Sequence, residues 1–288
     1  MSSAISTYQL VPLANGSHTV RSCADQETFH PVAGPVAEAE ALYVAQLQLR
    51  ARAEEKAPEP FIVWDVGLGA GGNALTALRH LMSSRANIRV ISFDRTLDAL
   101  RFALAHSEAL QFPRGFEAEI RALLARRSSI VRHHDFQANW DVLVGDFPAR
   151  AAAAALNGDL PPPHVIFHDA FSPARNPEMW TLPLFENLFR CLAPQRPCSL
   201  ATFSRSTLVR VTMLLAGFFV GAGQPVAGKE ETTIAANTLK LIAKPLDRRW
   251  LKRARISQSA EPLREPIYRR APLLPSTWER LRQHPQFA

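Results

Sequence analysis

Glycines 67, 69, 71 and 72 follow the run Val63-Trp64-Asp65-Val66, where an apolar stretch gives way to a helical pattern. Glycine there lets the chain turn sharply and lets a ligand lie against the backbone. Gly67, Gly69 and Gly72 also fit G-x-G-x-x-G, the dinucleotide fingerprint. Three carboxylates accompany the loop. Asp65 stands two residues before the first glycine, Asp94 ends the next apolar run, and Asp146 ends the one after it. All three fall at strand ends, where open α/β sheets bind ligands. Asp94 suits a ribose hydroxyl with either an NAD or an S-adenosylmethionine (SAM) cofactor. Asp65 can order the turn and attract an ammonium group, which SAM has and NAD lacks. Asp146, or its neighbouring amide, can bond the amino edge of adenine. Taken singly, each aspartate also reads as a helix N-cap. Together with Gly67, Gly69 and Gly71 they point to a SAM site.

A second constellation begins after the fourth apolar run, at Phe167-His168-Asp169-Ala170-Phe171-Ser172-Pro173, and continues to Asn176-Pro177-Glu178-Met179-Trp180. A methyl acceptor should sit at such a strand end. Asp169 stands where it can face that acceptor, or it can simply cap a turn. Phe171 can face the same space, or belong to the core. Lys229 suits a phosphate or carboxylate, or serves as a solvated loop lysine.

These residues need a scaffold. Apolar runs at 61–66, 89–93, 140–144, 164–168, 199–203, 218–222 and 239–243 predict seven strands. Helix-sized segments separate the first five, the mark of right-handed crossovers and a parallel sheet. The polar link 223–238 predicts a loop and an antiparallel last strand. The expected fold is a doubly wound, mostly parallel α/β sheet. Residues 96–110 and 116–127 predict a helical insertion broken at Pro113-Arg114-Gly115, and 149–156 predicts a further helix. At the start, a polar segment over 15–28 precedes a predicted helix over 36–52, with Leu42, Ala45, Leu49 and Ala53 on one face. Ala57-Pro58-Glu59-Pro60 ends it. The expected organisation is an N-terminal extension or lid (1–56), a catalytic domain (57–245) and a basic tail (246–288) with a short helix over 276–282.

With 47% hydrophobic and 20% charged residues, the composition is that of a globular enzyme. No run of eighteen apolar residues predicts a membrane span, and the first residues carry no secretory pattern, so a cytoplasmic protein is expected. Cys23, Cys191 and Cys198 lack CxxC spacing, and His133-His134 lacks the i, i+4 spacing of helical ligands, so no disulfide or metal site is expected. The net charge is +7, and six of those charges lie in the tail: ten Lys/Arg against four Asp/Glu between Asp247 and Ala288. Such a patch attracts polyanions, or keeps a tail solvated.

The order Asp-Ala-Phe-Ser-Pro…Asn-Pro-Glu-Met-Trp over 169–180 resembles the methyltransferase domain of the bacterial bifunctional enzyme of tRNA 5-methylaminomethyl-2-thiouridine biosynthesis, and its standalone relatives. Asn15-Gly16-Ser17-His18-Thr19, Glu27 to Gly34, Glu38, Leu200 to Ser204, Val209-Arg210, Ala216-Gly217-Phe218 and Gly228-Lys229-x-Glu231 follow the same order, so the resemblance spans residues 15–244. It implies a SAM-methyltransferase fold with an antiparallel last strand, with Asp169 catalytic and with Phe171, Lys229 and Glu231 toward the substrate. It also implies transfer to the aminomethyl group of a tRNA wobble uridine. Because the oxidase half is absent from this sequence, a separate oxidoreductase or amine-forming enzyme would supply the amine. Two departures stand out. The loop reads Gly67-Leu68-Gly69-Ala70-Gly71 where the family usually has Gly-Phe-Gly-Thr-Gly. Glu230 stands where the family usually has arginine, which weakens contact with a phosphate.

Rival readings are a small-molecule N-methyltransferase on the same scaffold, an RNA-binding protein with a decayed site, and an NAD enzyme. The intact acids and glycines speak against the second. The third lacks an evident partner for hydride chemistry.

Overall fold

The computed structural model describes residues 7–55, 59–226, 228 and 230–288. Ala57 and Pro58 of the expected linker lie outside the described residues. The chain forms two compact units, Met1–Gly145 with Val226–Lys229, and Asp146–Pro225 with Glu230–Ala288.

In the first unit, the polar segment belongs to a small antiparallel sheet of β1 (Tyr8–Pro12), β2 (His18–Ser22) and β3 (Glu27–Thr28), in that order. Its connection is a tight turn. Asn15 Oδ1 accepts from the Ser17 N–H at 3.1 Å and Gly16 takes φ +82°. The helix expected over 36–52 is interrupted. An α-helical start (Pro35–Ala39) passes into a π-helical stretch (Glu40–Ala45), and Leu49–Glu54 resumes after Gln48 at φ +50°. The wider π turn rotates the face, so Val44 is buried and Ala45 exposed, against the strict 3.6-residue pattern.

The main sheet of this unit runs β4 (Phe61–Val66), β5 (Asn87–Asp94), β7 (Phe136–Val144) and β6 (Ser128–His133). β4, β5 and β7 are parallel, and β6 pairs antiparallel with β7. All six residues of β4 are buried, as expected of an inner parallel strand. β6 escaped the sequence reading. It buries only Ser129 and Val131, and its hairpin turns at His134 (φ +49°) without glycine or asparagine. The insertion folds as Asp98–Ala105, Ser107–Leu110 and Glu117–Arg126.

The second unit orders its strands β10 (Phe219–Gly223), β11 (Thr232–Ala236), β9 (Ser199–Thr202) and β8 (Val165–His168). β8 and β9 are parallel, and β11 is antiparallel to both of its neighbours. The expected last strand at 239–243 is corrected: Leu239–Leu241 is a 3-10 turn with Leu239 exposed. The strand lies at 232–236, inside the supposed loop, and every residue of it is buried. Its threonines disguised it. Thr232 Oγ1 donates to Gln224 O at 2.9 Å and Thr233 Oγ1 to Ser204 O at 2.6 Å, so these polar side chains tolerate burial. Apart from β1–β3, eight α/β-sheet strands among the described residues, four in each unit, therefore stand where seven were expected.

The C-terminal residues pack onto the second unit. Arg248–Ile256 and Pro275–Arg282 are helical, with Trp250, Leu251, Ala254, Leu281 and Phe287 buried. Gln286 Oε1 accepts from Val220 N–H at 2.7 Å, and its amide donates to Leu246 O at 2.8 Å. No helix among the described residues is long and apolar enough to cross a membrane.

Candidate active site

The glycine loop joins β4 to the helix Gly72–Leu81 in the first unit. Gly67, Gly69 and Gly71 take φ of +92°, +52° and +86°, a region that side chains with a β-carbon rarely adopt. The N–H groups of Gly67 and Leu68 donate to Phe93 O at 3.0 and 3.1 Å, which lashes the loop to the end of β5. At that end Asp94 Oδ2 accepts the Gly69 N–H at 2.7 Å, and Oδ1 accepts the Thr96 N–H at 3.3 Å. Burial raises the Asp94 carboxyl above its ordinary range, and these backbone donors partly offset the shift. Asp65 is fully buried in β4 and accepts from Ser92 Oγ at 2.7 Å; Ser92 in turn accepts from Trp140 Nε1 at 2.9 Å. This relay spans three adjacent strands and sets the carboxylate's rotamer.

Sequence reasoning missed the roof over this loop. A β-carbon placed on Gly69 would lie 3.1 Å from Phe29 Cε2, and one on Gly72 would lie 2.9 Å from Pro35 Cβ. Tyr8 packs beside Phe29 with ring centroids 6.3 Å apart. Burial, then the fields of Asp94, Asp98 and Asp25, push the Tyr8 hydroxyl up to about 12. No periodicity or spacing announces such contacts, because Phe29 and Pro35 come 40 and 37 residues before the glycines they approach.

In the second unit, Asp146 caps the helix Phe147–Asn157, accepting from the Ala149 N–H at 2.8 Å. Asp169 follows β8 directly and is half-buried. Its loop is pinned at two places. Trp180 Nε1 donates to Phe171 O at 2.7 Å, and His168 Nε2 meets Met179 O at 3.0 Å. Burial drives the His168 pKa down to about 4, so the ring is neutral and Nε2 carries the proton donated to that carbonyl. His168 stacks edge-on against Trp180 at 4.8 Å and near Phe185 at 5.2 Å, a rigid box beneath the half-buried Phe171. Glu231 pairs with buried Arg210 at 2.9 Å, and Arg210 also donates to Thr233 Oγ1 and Thr232 O. The expected substrate role of Glu231 thus meets a structural use of its carboxylate. Lys229 lies outside the described residues.

A family model described as S-adenosyl-L-methionine-dependent methyltransferase matches residues 115–238. The chain is an S-adenosylmethionine-dependent methyltransferase. The methyltransferase resembles the crystal structure of MnmC2 from Aquifex aeolicus, with a TM-score of 0.69 and 26% identity over 91% of this chain and 80% of that one. It is 24% identical over 204 residues to the tRNA 5-methylaminomethyl-2-thiouridine biosynthesis bifunctional protein MnmC of Leptospira interrogans, covering 67% of this chain and 30% of the relative. The same-named protein of Aeromonas salmonicida is 27% identical over 187 residues, covering 62% and 28%. The methyltransferase therefore spans less than a third of the length of these two bifunctional relatives.

The SAM cofactor fits the residues present: three glycines that a side chain would strain, and beside them a carboxylate that already orders the loop. Among the described residues, no group of three His, Cys, Asp or Glu side chains is arranged to hold a metal ion.

Proposed function

We propose that this methyltransferase methylates the primary amine of 5-aminomethyl-2-thiouridine at the tRNA wobble position. The observation that carries the reading is the Asp169–Trp180 segment, which pairs a half-buried carboxylate with a doubly pinned loop and reads like the relatives' motif. In this reading Gly67, Gly69 and Gly71 pass the cofactor close to the backbone, and Asp94 accepts from its ribose hydroxyls. Asp65 draws its ammonium, and Asp146 or its neighbouring amide meets the adenine edge. SAM supplies an electrophilic methyl group on a sulfonium.

The attacking amine must be neutral, since its lone pair forms the new N–C bond while the methyl–sulfur bond breaks and leaves its electron pair on sulfur as a neutral thioether. Asp169 accepts a hydrogen bond from that amine, aims the lone pair and receives the proton released when nitrogen gains its methyl group. Positioning of this kind is worth up to about 7–11 kcal/mol. A proton acceptor adds about 10²–10⁴-fold. Phe171, held through its carbonyl, offers a face to the base. A separate amine-forming enzyme would act before this one, and the expected setting is the cytoplasm.

Mass spectrometry of wobble nucleosides, with and without the gene, tests the acceptor. Accumulated aminomethyl nucleoside is the expected result, and an unchanged profile overturns the assignment. With purified protein, Asp169→Ala should keep SAM affinity within a few fold and lose most methyl transfer. Asp169→Asn, which can still hydrogen-bond, should separate aiming from proton uptake.

A further inference from the structure

The structure sorts the ten basic residues of the C-terminal segment. Six have partners within the fold. Arg248 Nε donates to Phe287 O at 3.0 Å, and Arg255 lies 5.0 Å over the Trp278 ring. Arg264 pairs with Glu261 at 3.6 Å, and Arg280 with Glu186 at 3.9 Å. Arg282 Nε donates to Glu279 at 2.6 Å, and Arg270 Nε to the Tyr268 hydroxyl at 3.2 Å. Arg249, Lys252, Arg253 and Arg269 make no side-chain hydrogen bond or ion pair among the described residues.

Three of those four share one helix. Arg249, Lys252 and Arg253 stand at i, i+3 and i+4 in Arg248–Ile256, so they project from one face, and all three are exposed. Asp247 caps this helix, accepting from the Trp250 N–H at 2.8 Å.

We propose that Arg249, Lys252 and Arg253 form a surface that docks the phosphate backbone of RNA. This proposal rests on the tRNA reading above and names the face that reading requires. A row of like charges on one helix face is unfavourable in the free protein. An external polyanion relieves it, and each neutralised phosphate releases counterions. A lipid surface fits less well. The helix buries Trp250, Leu251 and Ala254 inward, which leaves a cationic face with only Ile256 exposed among its apolar residues.

The test compares two triple variants of the full chain with equal loss of charge. R249Q/K252Q/R253Q removes the unpaired face, and R264Q/R270Q/R282Q removes paired cations. Each is measured by filter binding to unfractionated tRNA across a salt series, with SAM titration and a thermal melt as checks on folding. Each phosphate contact contributes about 0.7–0.9 to the slope of log affinity against log salt. The first variant should therefore flatten the slope by about 2–3, and the second should leave it near wild type. Equal flattening by both variants overturns the proposal, because charge alone would then be enough. So does wild type that ignores tRNA at low salt, or that binds phosphatidylglycerol vesicles instead. Binding through this face without methyl transfer sinks the acceptor assignment and leaves the surface standing. Methyl transfer with identical slopes for all three proteins does the reverse.

Discussion

Phe29 occupies the space that a side chain at position 69 would need: its Cε2 lies 3.1 Å from where a β-carbon on Gly69 would stand. Glycine at this position therefore answers to the N-terminal sheet as well as to a cofactor. Gly69→Ala should cost about 1–2 kcal/mol for the left-handed backbone alone, a fall in Tm of roughly 2–8 °C, and weaken SAM binding at least tenfold. Adding Phe29→Ala relieves the crowding and should restore part of the SAM affinity in calorimetric titration. If Gly69→Ala alone leaves both Tm and affinity unchanged, the loop is not built as described.

Asp94 offers a test in which stability and binding part company. Its folded pKa is raised by burial, so the ionised form opposes folding above that pKa, and the penalty vanishes as pH falls through it. Asp94→Asn keeps an acceptor for the Gly69 N–H and removes the charge. Tm at neutral pH should hold or rise, whereas SAM affinity should drop by tenfold or more, the worth of about 1.5–3 kcal/mol for a charged hydrogen bond. A variant that binds SAM like wild type removes Asp94 from the cofactor site.

The Trp180 indole bond to Phe171 O can be removed with little loss of packing. Trp180→Phe leaves a ring against His168 and Phe185 and deletes the 2.7 Å donor. Amide exchange over residues 170–176 should accelerate about tenfold or more, the effect of roughly 1.4 kcal/mol, and kcat should fall more than KM rises. Unchanged exchange in that segment would show that the indole does not hold the loop.

His168 predicts an acid limit. Its folded pKa of about 4 lies below the unfolded value of 6.5, so the unfolded chain binds the proton more readily. Stability from this group is complete above pH 6.5 and is lost as pH falls through that value toward 4, by about 3 kcal/mol in all. His168→Phe cannot be protonated, so it should flatten the dependence of Tm on pH between 6.5 and 4, whatever its Tm at neutral pH. Parallel curves for the two proteins would assign the acid sensitivity elsewhere.

The glycine loop, the inner strands 61–66 and 199–202 and the helix after Asp146 were legible in the sequence, because local rules govern them. A strand buried on both faces favours apolar residues, a left-handed turn favours glycine, and a helix start favours an acceptor side chain. What depends on distant partners was not legible. β11 hid behind threonines whose hydroxyls are satisfied by carbonyls 8 and 29 residues away. β6 hid because its sheet edge needs few apolar residues. Nothing in the spacing announced that Arg210, 21 residues earlier, pairs with Glu231. The sum of charges in the tail could be counted from the sequence. Which of those charges are neutralised inside the fold was decided by tertiary contacts alone, because an ion pair or a carbonyl bond depends on separation in space and leaves no trace in spacing along the chain.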